Sequence, residues 1–124
     1  MSEIKRKIMV VEDEESIREI YGDYLSEYDV ALFANATDSL AKITEVNPEL
    51  LIVDLGLPDM DGIVFIEKIR ATFSQKLPVI IISGRIDIEY CIQANGQGVT
   101  DLITKPFDKT QLTDLVKRTL PPLA

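Results

Sequence analysis

Histidine is absent from all 124 residues, which removes histidine-based catalytic triads and histidine-ligated zinc from consideration. There is one cysteine, Cys91, so no disulfide can close within the chain, and a reducing cytoplasm is the expected setting. No apolar run approaches the roughly 20 residues that a membrane-spanning helix needs. The charged stretch Met1 to Lys7 leads into only four apolar residues before Glu12, too few for the apolar region of a secretory signal. Basic character is lacking too. A net charge of −8 disfavours direct contact with nucleic acid, which calls for a basic surface. Internal repeats and low-complexity segments are also missing.

What is present fits a globular fold. Hydrophobic residues make up 46% of the chain, and the length suits one domain, residues 1–124, with a real core. Four short apolar runs stand out. Lys7 to Val11 reads as a first buried strand, and Asp29 to Phe33 as a second, less apolar one. Leu50 to Val53 reads as a central strand buried on both faces, and Leu77 to Ile82 as a fourth strand. Thr100 to Thr104 adds a short fifth. Between them lie helical patterns. Ser16 to Ser26 carries Ile17, Ile20, Tyr21, Tyr24 and Leu25 on one stripe. Asn35 to Asp38 offers an N-cap to a second helix, with Leu40, Ile43 and Val46 inward and Asn47-Pro48 as its stop. Asp61 or Gly62 opens a third helix, with Val64, Phe65, Ile66 and Ile69 as apolar positions, running to about Phe73. Residues 86–95 read as a weaker fourth helix, followed by the Gly-rich break at 95–98. Asp108 or Thr110 caps a last helix with Leu112, Leu115, Val116 and Leu120 inward, stopped by Pro121-Pro122. Five strands alternating with five helices predict an α/β fold. The expected form is a flavodoxin-like doubly wound (βα)5 with a five-stranded parallel sheet in the order 2-1-3-4-5.

In a parallel sheet all strand ends of one sense lie along one edge. The first strand ends in Glu12-Asp13, the third in Asp54, the fourth in Ser83 and the fifth in Lys105. Three carboxylates converging there would repel one another by about 4 kcal/mol per pair at 4 Å and an effective dielectric near 20. A hard divalent cation relieves that, and an all-oxygen site that keeps some waters suits Mg2+. A cation, a carboxylate, a hydroxyl and a fixed ammonium are the parts for phosphoryl transfer. Asp54 is the candidate nucleophile and Glu12-Asp13 the metal-holding pair, while Ser83 and Lys105 would contact the phosphoryl oxygens.

With these residues assembled, the chain resembles the receiver domains of two-component response regulators along essentially its whole length. The matching pieces are Val10-Val11-Glu12-Asp13-Glu14, Asp54 with Leu57-Pro58-Asp59-Met60-Asp61-Gly62, Ile81-Ile82-Ser83-Gly84, and Thr104-Lys105-Pro106-Phe107. The resemblance implies that Asp54 accepts a phosphoryl group from a phosphohistidine on a sensor kinase or histidine phosphotransfer protein. It implies that Asp13, Asp54 and the backbone carbonyl of Gly56 coordinate Mg2+, with Glu12 acting mainly through water. It implies self-catalysed phosphorylation and slower hydrolysis, with a shift of the face formed by the fourth helix, fifth strand and fifth helix. Three positions depart from the usual pattern. Leu102 stands where an aromatic switch residue is common, Ser83 replaces threonine, and Gly84 replaces alanine beside Arg85.

Other readings compete with this one. A receiver-like interaction module could act without phosphorylation, as Leu102 suggests, although it need not keep Glu12, Asp13, Asp54, Ser83 and Lys105 together. A hydrolase of the haloacid-dehalogenase type would want Asp-x-Asp, where this chain has Asp54-Leu55-Gly56. A flavin-binding domain would want a phosphate loop where this chain has four acids, Glu12 to Glu15. Output is expected through a protein target or an effector domain, with no membrane and no direct nucleic-acid partner. The chain could be a single-domain regulator or the receiver of a longer protein. The exposed face from Ile86 to Tyr90, with Leu102, is the expected phosphorylation-dependent contact.

Overall fold

A computed structural model describes residues 5–84 and 95–121. The elements run β1 (Lys7–Val11), α1 (Glu15–Tyr24), β2 (Asp29–Phe33), α2 (Ala36–Val46), β3 (Leu50–Val53), α3 (Gly62–Thr72), β4 (Val79–Ser83), β5 (Asp101–Thr104) and α4 (Lys109–Thr119). The expected helix at 86–95 and the contact face at Ile86 to Tyr90 lie outside the described residues, apart from residue 95. All strand pairs are parallel, in the order β2-β1-β3-β4-β5, as the βα alternation predicts.

The strands read as unbroken apolar runs because both sheet faces are covered. Side chains alternate between the faces with a period of two. Met9, Val11, Leu51, Val53, Val79 and Ile81 pack with Phe65, Ile66 and Ile69 of α3 and Ile43 of α2. Ile8, Val10, Leu50, Ile52, Ile80 and Ile82 pack instead with Tyr21 and Leu25 on the α1 side and with Leu112 and Val116 of α4. Glu12, Asp54 and Lys105 continue that second set of rows, two residues beyond Val10, Ile52 and Ile103. The ladder also runs past the strand ends. Asp54 N–H donates to the Val11 carbonyl at 3.1 Å, and Lys105 N–H to the Ser83 carbonyl at 3.0 Å. Backbone pairing therefore fixes the site residues at the edge of the sheet.

The helix starts obey local chemistry. The Asn35 side chain accepts from Asp38 N–H at 2.8 Å, and the Asp61 side chain accepts from Ile63 N–H at 2.8 Å. Of the two candidate caps for the last helix, Asp108 is the one used, in a capping box with Gln111. Gly62 is required for space: a Cβ there would stand 2.7 Å from Leu55 Cα.

The bounds of three elements differ from expectation. Helix α1 stops at Tyr24, not Ser26, with Leu25 as its C-cap. Strand β4 begins at Val79, because Pro78 has no N–H to give to a ladder, and it takes in Ser83. Strand β5 begins at Asp101, not Thr100. Helix α3 runs as expected, ending at Thr72 with Phe73 as its C-cap. Within α3 the inward position is Ile63, while Val64 is 41% exposed.

Candidate functional site

The edge formed by the ends of β1, β3, β4 and β5 brings together Glu12, Asp13, Asp54, Ser83 and Lys105. Asp54 is buried and held from three sides. Its Oδ1 accepts from Ser83 Oγ and from Gly56 N–H, both at 2.9 Å, and its Oδ2 accepts from Lys105 Nζ at 2.6 Å. Lys105 Nζ also meets Glu12 Oε1 at 2.5 Å, so one ammonium bridges two carboxylates. Among the described residues, that ammonium is the one group that meets the buried Glu12 Oε1. Glu12 Oε2 accepts from Glu14 N–H at 3.2 Å. Asp13 is exposed, and carboxylate oxygens of Glu12, Asp13 and Asp54 lie within 4.8 Å of one another.

Protonation follows from this geometry. Burial pushes the Asp54 carboxyl up, but the bonds from Lys105, Gly56 N–H and Ser83 outweigh it and hold the group below the ordinary aspartate value. Burial would lower the Lys105 ammonium, but Asp54 and Glu12 outweigh it and raise it. Glu12 goes the other way. Its burial raises it, and Lys105 and Glu14 N–H compensate only in part. At neutral pH the centre therefore presents an ionised Asp54 beside a protonated Lys105.

The supporting contacts are specific. Phe107, two residues after Lys105, stacks on Tyr21 of α1 at 5.2 Å and 27°, and meets Tyr24 edge-on. The Lys105–Pro106 peptide is cis. Leu102 is partly buried against the core on the α2 and α3 side. The described residues also include three groups whose contacts the sequence does not by itself reveal. Arg18 Nη1 donates to the carbonyls of Glu12 and Asp13, both at 2.9 Å. The signal for it was available, since long helical side chains point back toward the helix N-terminus. Tyr21 was visible only as a core position, and its stacking on Phe107 joins two distant segments.

Asp59 is the third. It lies in the loop after Asp54 yet caps α2, accepting from Ala36 N–H at 3.0 Å and from Thr37 N–H at 2.8 Å. Its partners are more than twenty residues away, so no local pattern marks it. The Thr37 hydroxyl bond, with the two backbone bonds, holds the Asp59 carboxyl below its ordinary value despite slight desolvation. A depressed folded-state value means stability that is present above the unfolded value and lost as pH falls through the folded one. Asp59→Ala is therefore expected to cost about 1 kcal/mol near pH 7. Urea unfolding of both proteins across the acid range checks this. The gap should close as pH falls below the ordinary aspartate value, and a gap that widens on acidification would contradict it.

The donor set fits a hard divalent cation. It is all oxygen, the three carboxylates converge, and Glu12 Oε1 is buried with, among the described residues, an ammonium alone facing it. No described helix is long and apolar enough to cross a membrane.

Comparison with known proteins gives the same picture. The family model of the response regulator receiver domain matches residues 8–117. The transcriptional regulatory protein KdpE of Staphylococcus aureus is 36% identical over 111 residues, covering 88% of this chain and 47% of that protein. The DNA-binding transcriptional regulator NtrC of Salmonella typhimurium is 31% identical over 115 residues, covering 91% of this chain and 24% of that one. The chain thus spans from a quarter to about half the length of these curated relatives. Among solved structures, the receiver domain protein of Methanospirillum hungatei superposes with a TM-score of 0.88 at 26% identity, covering 94% of each chain. The chemotaxis protein CheY4 of Vibrio cholerae superposes with a TM-score of 0.89 at 25% identity, covering 94% of this chain and 100% of that one. The chain belongs to the response regulator receiver domain family of two-component signalling.

Proposed function

We propose that this chain is a phosphorylation switch in which Asp54 accepts a phosphoryl group from a phosphohistidine of a sensor kinase or histidine phosphotransfer protein. The observation that carries this reading is the environment of Asp54. It is an ionised carboxylate at a strand end, with a hydroxyl and an ammonium already hydrogen-bonded to it. An oxygen of Asp54 attacks phosphorus, the P–N bond to the donor imidazole breaks, and the departing imidazole takes up a proton. The product is a mixed anhydride of carboxylate and phosphate. Lys105 follows the negative charge from the carboxylate to the phosphoryl oxygens, and Ser83 donates to one of them. Mg2+, held by Asp13, Asp54 and the Gly56 carbonyl with Glu12 through water, would neutralise charge on the phosphoryl oxygens. Lys105 and Ser83 then leave their present acceptor atoms, and that shift is the means by which partner contacts change. The partner is a protein, the setting is the cytoplasm, and residues 1–124 act as one receiver domain.

The chemical nature of the product tests this. After phosphorylation with acetyl phosphate and Mg2+, neutral hydroxylamine should discharge the phosphoryl group, because it attacks the acyl carbon of a mixed anhydride. A phosphoryl group that survives hydroxylamine would be an ester, on Ser83 or another hydroxyl, and would contradict an acceptor role for Asp54.

A further inference from the structure

We propose that Arg18 is a positioning residue for the metal site, acting through the backbone of the two residues that carry its acidic ligands. The inference rests on the Mg2+ reading above. The segment between β1 and α1 is only three residues long, Glu12 to Glu14. Two of its three N–H groups are placed: Glu12 N–H donates to the Phe33 carbonyl and Glu14 N–H to Glu12 Oε2. Its first two carbonyls both turn to one atom, Arg18 Nη1, at 2.9 Å each. Helix α1 brings the arginine there. Arg18 N–H bonds back to the Glu14 carbonyl, so residue 18 sits one turn into the helix, and its side chain reaches back over the helix start.

The consequence falls on Asp13. Its side chain is exposed, so core packing does not aim it. The two peptide planes on either side of Asp13 do, and Arg18 holds the carbonyl of each. Without those bonds the carbonyls would turn to water and the planes could rotate, moving the Asp13 carboxylate relative to Glu12 and Asp54. Arg18 touches no ligand atom and acts only through geometry.

Charge gives this proposal a distinguishing sign. A guanidinium beside a cation site repels the cation, so an effect through charge alone makes Arg18→Ala bind Mg2+ more tightly and leaves Arg18→Lys unchanged. Positioning makes Arg18→Ala bind more weakly. Arg18→Lys keeps the charge but replaces the flat fork with a shorter point charge, so it should show a smaller loss. Partners that orient ligands typically change metal affinity by 10–100-fold, and an effect transmitted through backbone belongs at about tenfold.

The test is calorimetric titration of the unphosphorylated protein with Mg2+ alone, for wild type, Arg18→Ala and Arg18→Lys, with far-UV circular dichroism to confirm the fold. The expected result is a dissociation constant about tenfold higher for Arg18→Ala, with Arg18→Lys between it and wild type. Wild-type or tighter affinity in Arg18→Ala would overturn the positioning role while leaving the metal site intact. If the wild type does not take up Mg2+, the metal reading fails first and this inference with it.

Discussion

Lys105→Met is expected to slow phosphorylation of Asp54 by about 10²–10³-fold while making the protein bind Mg2+ more tightly. The two effects run in opposite directions because Lys105 has two roles. In the proposed transfer it meets developing charge on the phosphoryl oxygens, a contact that methionine cannot make. In the resting protein it competes with any cation for Asp54 Oδ2 and Glu12 Oε1, at 2.6 and 2.5 Å. Methionine fills a similar volume and leaves both carboxylates without a counter-charge. Glu12 is 1% exposed and Asp54 8%, so solvent offers them little relief. Removing one partner of a buried ion pair typically costs about 3–5 kcal/mol. A loss toward the lower end is expected in metal-free buffer, shrinking as Mg2+ is added, because a ligand that binds the folded state stabilises it. Urea unfolding with and without Mg2+, beside phosphorylation rates at saturating Mg2+, separates the two roles. A variant that binds Mg2+ more weakly than wild type would contradict the competition with a cation, and one that phosphorylates at an undiminished rate would contradict the transition-state contact.

Asp54→Asn should abolish phosphorylation outright. The amide is nearly the same size as the carboxylate but is not a nucleophile toward phosphorus. Its oxygen can still accept from Ser83 Oγ and Gly56 N–H, as Oδ1 does now. Its nitrogen, however, would face Lys105 Nζ, setting donor against donor where Oδ2 now accepts. Lys105 would keep Glu12 as its partner, so the fold should persist with a modest stability change. The loss is therefore expected to be complete for chemistry and small for structure. Circular dichroism beside a phosphorylation assay checks both halves. Residual phosphorylation of a well-folded Asp54→Asn would mean a second acceptor.

The sheet and the site were legible because each follows from a local rule that the fold leaves intact. Leu50 to Val53 is apolar at every position since both faces are covered, and the residue after it falls at the sheet edge by necessity. The convergence of Glu12, Asp54 and Lys105 follows from their places at the ends of parallel strands, which the alternation of strands and helices implies. Helix starts were readable where the cap is local, as at Asn35, Asp61 and Asp108. The roles of Asp59 and Arg70 were not legible because they depend on distant partners. Asp59 caps a helix from another loop. Arg70 is buried with carbonyls as its partners, Leu77 at 2.5 Å and Gln97 at 3.0 Å among them, and nothing near it in sequence marks that environment. Val64 misled because it adjoins Phe65 and Ile66, and adjacency says less than the 3.6-residue period that puts Ile63, Ile66 and Ile69 or Arg70 inward.

The role of Asp54 as phosphoryl acceptor in a Mg2+-dependent centre is tested most directly by intact-protein mass after incubation with acetyl phosphate, on wild type and Asp54→Asn, with and without Mg2+. Wild type is expected to gain one phosphoryl group in a reaction that requires Mg2+, and the variant to gain none. No gain in folded wild-type protein under any of these conditions, or an equal gain in Asp54→Asn, would contradict it.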